Sequence, residues 1–136
     1  MRQETRDRFD HELEYVLRHL PQEVQQLLEE IPLIVEDYPS RQILKSMELE
    51  DATELCGLFE GEPYTGVHSD IHWDTPVTRS PVIYLYRRGL LEQSRSSINR
   101  RILPDLLRQE IRTTILHEVG HYYGMDETDL DEYGYG

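Results

Sequence analysis

Apolar residues at Phe9, Leu13, Val16, Leu17 and Leu20 recur at helical spacing and predict an amphipathic first helix. Pro21 ends it and is placed to open a second helix, Gln22–Glu30, which packs through Val24, Leu27 and Leu28. The period then changes. Leu33-Ile34-Val35 is a short β-branched run stopped by Asp37-Tyr38-Pro39 and reads as a strand. Residues 40–50 mix both signals and read as a helical turn. Residues 55–59 give a second strand, closed by Glu60-Gly61-Glu62-Pro63, and residues 66–80 follow no period. Val82-Ile83-Tyr84-Leu85-Tyr86 is apolar on both faces, as a central strand is. A polar connection over residues 94–100 leads to Pro104, a good first-turn residue, and then to a stripe of Leu107, Ile111, Ile115 and Tyr122. Helices first, then short strands, then a long helix, predict an α+β fold: a small mixed sheet with helices packed on it. The 136 residues suit a single domain spanning 1–136.

Charge narrows the possible partners. With 27 acids against 14 Lys and Arg, the net charge is −13, which argues against a phosphate-backbone partner and for no nucleic acid. Arg87-Arg88, Arg95 and Arg100-Arg101 cluster, and are read as a solvated connection. One cysteine, Cys56, excludes an intramolecular disulfide and reads as a small buried apolar residue. The start, Met1-Arg2-Gln3-Glu4, leads into no apolar signal, and no run approaches the roughly 20 apolar residues of a membrane span. The expectation is a cytoplasmic protein with no membrane partner, and the chemistry leaves room for a homodimer.

The last long helix carries the chemistry. His117-Glu118-Val119-Gly120-His121 spells H-E-x-x-H, and Tyr122-Tyr123-Gly124 and the acids Asp126 and Glu127 follow. At about 100° per residue, His117 and His121 stand about 40° apart on one helix face and can share a metal ion. Glu118 lies about 100° round, close enough to reach a water on that metal without being a ligand. Gly124 suits a left-handed helix cap, and a sharp turn there carries the following acids back towards the histidines. By contrast, His68 and His72 also stand four apart, but in a Gly-, Asp- and Pro-punctuated stretch that reads as a loop. His11 and His19 read as surface or packing residues of the first helix. Glu110, two turns before His117, is a candidate to stand behind the metal ligands.

From these residues the chain resembles the small bacterial zincin-like metallopeptidases, or mini-zincins. The resemblance rests on the H-E-V-G-H-Y-Y-G helix together with Leu-Pro-Gln-Glu after the first helix and the Ile-Val-Glu-Asp strand. Gly-Leu-Phe-Glu-Gly at 57–61, Ile-Tyr-Leu-Tyr-Arg-Arg at 83–88 and the Tyr- and Gly-rich end extend it over nearly the whole chain. It implies a zincin-like fold, one Zn²⁺ and peptidase activity on a peptide or protein substrate. Such families commonly place an Asp ten residues after the first histidine, whereas this chain has Glu127 there and Asp126 one place earlier. Asp126 followed by Asp129 looks like a helix start, with Asp126 as N-cap and its carboxylate engaged by backbone N–H groups. That favours Glu127 as third ligand beside His117 and His121, with Asp126 the alternative.

The expected chemistry is amide hydrolysis, with Glu118 as general base towards a zinc-activated water and then as proton donor to the leaving amine. Tyr122, Tyr123, Tyr133 and Tyr135 are the candidate donors to the developing oxyanion. Two other classes compete. One is a non-catalytic protein that keeps the zincin scaffold to bind a partner. The other is a metal-dependent ribonuclease with a related H-x-x-x-H helix, disfavoured by Glu118 and by the chain's acidity.

Overall fold

The computed structural model describes residues 1–62, 64 and 80–132. The elements run α1 (Gln3–His19), α2 (Gln22–Glu30), β1 (Leu33–Glu36), α3 (Arg41–Ser46), a 3₁₀ turn (Ala52–Glu54), β2 (Gly57–Glu60), β3 (Val82–Tyr86), α4 (Arg87–Gln93), α5 (Pro104–Tyr122) and α6 (Glu127–Glu132). The three strands form one mixed sheet in the order β1-β3-β2, with β1 parallel and β2 antiparallel to β3. β3 is central, as its two-sided apolar pattern predicts. Its inward residues Ile83 and Leu85 are fully buried against Ile111 and Ile115 of α5 and Phe9 and Leu13 of α1. The result is the α+β arrangement expected, zincin-like in its small sheet and long histidine-bearing helix.

Most boundaries follow local chemistry. Ser40 caps α3 by accepting from the Ile43 N–H, which resolves the mixed signals of residues 40–50 into one short helix. Pro104 stands in the first turn of α5, where its missing N–H costs nothing. β2 begins at Gly57 rather than at residue 55, because Leu55 and Cys56 still form the exit from the 3₁₀ turn.

Within the arginine cluster the expectation holds for Arg100 and Arg101, which are exposed in the connection, and fails for Arg87 and Arg88. Arg87 and Arg88 open α4 instead of a solvated connection. Arg87 pairs with Asp10 of α1 at 2.9 Å and Asp37 after β1 at 3.0 Å, and its guanidinium lies 5.6 Å above the Phe9 ring. Arg6 joins through three hydrogen bonds to Asp37. Arg88, Arg95 and Arg100 all pair with Glu92. Arg87, Arg88, Arg95 and Arg100 are thus each paired with a carboxylate of α1, α4 or the end of β1. Cys56 is half-buried, and burial, with Glu110 and Glu118 adding to it, pushes its thiol up to about 11, so it is not a nucleophile at neutral pH.

Candidate metal centre

α5 positions the site. Leu107, Ile111 and Ile115 are at most 2 % exposed and hold the helix against the core, and Leu116 and Val119 keep its last two turns packed there while His117 and His121 stand half-buried beside the sheet. There His117 and His121 turn their Nε2 atoms towards each other at 3.0 Å. The helix ends as the glycine predicts. Gly124, at φ +80°, donates to the His121 carbonyl at 2.9 Å, while the Met125 N–H returns to the Gly120 carbonyl at 3.0 Å. These two bonds make a Schellman turn, which reverses the chain at the foot of the histidines.

After that reversal α6 brings back the third group. Glu127 Oε1 stands 3.0 Å from His121 Nε2 and 3.4 Å from His117 Nε2. Asp126 is occupied elsewhere. Its carboxylate accepts from the Asp129 N–H at 2.8 Å, and the Asp129 carboxylate accepts from the Asp126 N–H at 3.0 Å. This reciprocal cap is the one the sequence anticipates, and it leaves Glu127 as the acid nearer the histidines.

The three edges of this triangle match what a tetrahedral zinc needs. Zn–N and Zn–O bonds of about 2.0–2.2 Å put neighbouring donor atoms roughly 3.3 Å apart. Two imidazoles and a carboxylate are also the donor chemistry of a zinc site that keeps a fourth position open. The Met125 carbonyl lies 3.2 Å from His121 Nδ1, and since a carbonyl only accepts, the proton belongs on Nδ1 and the Nε2 lone pair faces the triangle.

Glu118 stands beside the triangle, with Oε2 at 4.0 Å from His117 Nε2 and the residue 7 % exposed. His117, Glu118 and His121 form the described group able to gather round one ion. We give Glu127 more weight than Glu118 in that triangle, because Glu127 approaches both imidazoles and Glu118 only one. Burial pushes the Glu118 carboxyl above the ordinary glutamate range, against the opposing pull of the two histidines and of a hydrogen bond from the Phe59 N–H at 2.9 Å.

That N–H belongs to the free edge of the sheet. Tyr86 donates to the Cys56 carbonyl, so by antiparallel alternation Leu58 and Glu60 also pair with β3, while the backbone groups of Gly57 and Phe59 point away. A cleft of about 500 Å³ follows this edge, with Leu55, Gly57 and Phe59 on one wall and His117, Glu118, His121 and Glu127 on the other. Glu110 lines an adjoining space of about 250 Å³ with His117 and Glu118. Tyr122 and Tyr123 pack with Phe59 and Tyr64 at the far end of the cleft. Tyr133, Tyr135, His68 and His72 lie outside the described residues. His19 bonds the Tyr15 carbonyl and stacks on its ring, and His11 lines a separate surface cavity beside α1.

Sequence reasoning missed two groups that orient the site, the Phe59 N–H and the Met125 carbonyl. Both are backbone groups, so no residue type announces them. Gly124 was the only available signal, since the turn it permits is what delivers the Met125 carbonyl.

A small mixed sheet whose free edge faces two histidines of H-E-x-x-H defines a zincin-like fold. The sequence matches the model of the zincin-like metallopeptidase family over residues 28–135, and the chain belongs to that family. The family implies a metal, typically zinc. No curated protein matches the sequence. Among the described residues no helix is long and apolar enough to cross a membrane.

Proposed function

We propose that the protein is a zinc-dependent peptidase in which His117, His121 and Glu127 hold the metal and Glu118 is the general base. The observation that carries this reading is the triangle of donor atoms at 3.0, 3.0 and 3.4 Å, which has the size zinc requires. A zinc ion bound there supplies Lewis acidity, polarising a carbonyl and lowering the pKa of a coordinated water to about 7. Glu118 is the only carboxylate beside the triangle among the described residues that is buried and not directed at both histidines. Its raised affinity for a proton suits a group that takes one from water and returns it to a departing amine.

The substrate is an extended peptide. β2 leaves the Gly57 backbone groups and the Phe59 carbonyl unpaired by β3 along the cleft, while the Phe59 N–H is taken by Glu118, and a chain laid beside them gains backbone hydrogen bonds without a preference for side chains. An antiparallel course is favoured because such pairs are the more stable. Phosphate-bearing substrates fit poorly. Glu54, Glu110, Glu118 and Glu127 line the cleft and the space beside it, and a nucleic-acid backbone would meet four carboxylates.

The test is zinc-loaded protein and its Glu118→Gln variant, compared on a broad peptide library by mass spectrometry. Both should retain zinc, and the variant should lose turnover by about 10²- to 10⁴-fold, the usual cost of removing a general base. Equal cleavage by the two proteins overturns the reading in favour of a non-catalytic scaffold.

A further inference from the structure

At Gly57 β2 lies tight against α5. A Cβ built on it would stand 2.6 Å from Thr114 Cγ2, 3.0 Å from the Tyr84 carbonyl oxygen and 3.5 Å from Glu118 Cγ. The first distance is far inside van der Waals contact, so any side chain at 57 forces strand and helix apart. Thr114 can yield only by switching between its two helical χ1 rotamers, and the Tyr84 carbonyl behind it is backbone and cannot rotate away. The φ angle at 57 is not what demands glycine, since the backbone there is ordinary strand and the positive-φ glycines are Gly61 and Gly124. The demand is for space alone.

The closeness has a consequence two residues on. Phe59 shares with Gly57 the edge that faces α5, and its N–H donates to Glu118 Oε1 at 2.9 Å. Glu118 lies one turn beyond Thr114, on the same side of the helix, so the contact at 57 and the hydrogen bond at 59 are two points of one strand-to-helix seam. Within the described residues this is the hydrogen bond made by the Glu118 carboxylate. It occupies Oε1 and leaves Oε2 as the oxygen on the His117 side.

Resting on the peptidase reading above, we propose that Gly57 is a positioning residue for the general base: its missing side chain lets β2 close on Thr114, which brings the Phe59 N–H to Glu118 Oε1 and turns Oε2 towards the metal site. Gly57 itself touches no reacting atom. A displacement of the seam by about 1 Å leaves the metal ligands in place, since they belong to α5 and α6, but it frees the carboxylate to rotate. Misplacement of that order costs on the order of 100-fold in rate.

The experiment compares zinc-loaded wild type, Gly57→Ala, Thr114→Ala and the double variant, with fluorescein-labelled casein as the substrate probe. Hydrogen exchange of the Phe59 amide, followed by NMR, is the second readout. Gly57→Ala should keep its zinc and lose about 10- to 100-fold in kcat with little change in KM, and its Phe59 amide should lose protection. Thr114→Ala removes the atom that the new Cβ strikes, so the double variant should regain most of the turnover and the protection. If Gly57→Ala does not fold, Thr114→Ile, which presses on the same seam from the helix side, should reproduce both losses.

Full turnover or full Phe59 protection in Gly57→Ala overturns the proposal. So does a double variant that recovers thermal stability but neither readout. Should wild type show no Glu118-dependent cleavage, the peptidase reading fails by itself, and the Phe59 amide still decides whether Gly57 sets the seam.

Discussion

His117 and His121 are held very differently from Glu127. The histidines stand on a 19-residue helix whose inward face is fully buried, and the His121 ring is fixed further by the Met125 carbonyl. Glu127 stands on a six-residue helix, its side chain is 68 % exposed, and α6 is joined to the site through one Schellman turn and one reciprocal cap. A helix that short does not persist on propensity alone. The two imidazoles are therefore a preformed half-site, whereas the carboxylate arrives on an element whose order depends on its caps and on what it binds. On the reading proposed above, metal affinity and local order around Glu127 would be coupled.

The largest expected effect comes from breaking the rigid half. His117→Ala or His121→Ala removes a preoriented donor, and either should abolish the retention of about one zinc per chain at neutral pH, measured by elemental analysis after dialysis. Stoichiometric zinc in the double variant would place the site elsewhere. Breaking the more exposed half should cost less. Glu127→Ala deletes one of four ligand positions, about a quarter of the 10–16 kcal/mol that structural zinc sites supply, which is roughly a hundredfold or more in affinity. A chelator competition titration reads this directly. An unchanged affinity would mean that Glu127 only decorates the α6 N-terminus.

Asp126 sharpens the same comparison. Its carboxylate is bound to the Asp129 N–H, so Asp126→Ala should lower stability by about 1 kcal/mol through the lost cap and reduce zinc affinity far less than Glu127→Ala does. Calorimetry with and without zinc separates the two effects. If zinc affinity collapses in the Asp126 variant and survives in the Glu127 variant, the two acids exchange roles.

What was legible in the sequence divides along the same line. Periodicity found α1, α2 and the stripe of α5, because each packs one apolar face on the core, and it found β3 as central because strands pair on both its sides and no residue of it is exposed. The cap chemistry of Gly124 and Asp126 was legible because those residue types serve few other purposes. Arg87 was misread because its partners, Asp10 and Asp37, are set by topology and not by neighbours in sequence, whereas Glu92 stands at helical spacing from Arg88 and Arg95. The Phe59 N–H at Glu118 was invisible for a related reason: a 59-residue separation and a backbone donor leave no pattern to read.

The smallest expected effect tests whether the rigid half owes part of its rigidity to charge. Asp37 is held below the ordinary aspartate range, chiefly by the Arg6 hydrogen bonds, with Arg87 assisting and burial opposing. A depressed folded-state pKa gives stability that is fully present above the unfolded value of about 3.9 and is lost as pH falls through the folded value. The difference in urea midpoint between wild type and Asp37→Asn should therefore hold steady from neutral pH down to about 5 and shrink below about 4. The measurement belongs on metal-free protein, so that release of zinc by protonation of its ligands does not enter. Asp37 lies with α1, β1 and α4 and not at the cleft, so zinc affinity at neutral pH should be unaffected by the substitution. A midpoint difference that persists unchanged to pH 3 would show that Asp37 acts through shape, and that the packed face of α5, without its ionic clamp, keeps the histidines in place.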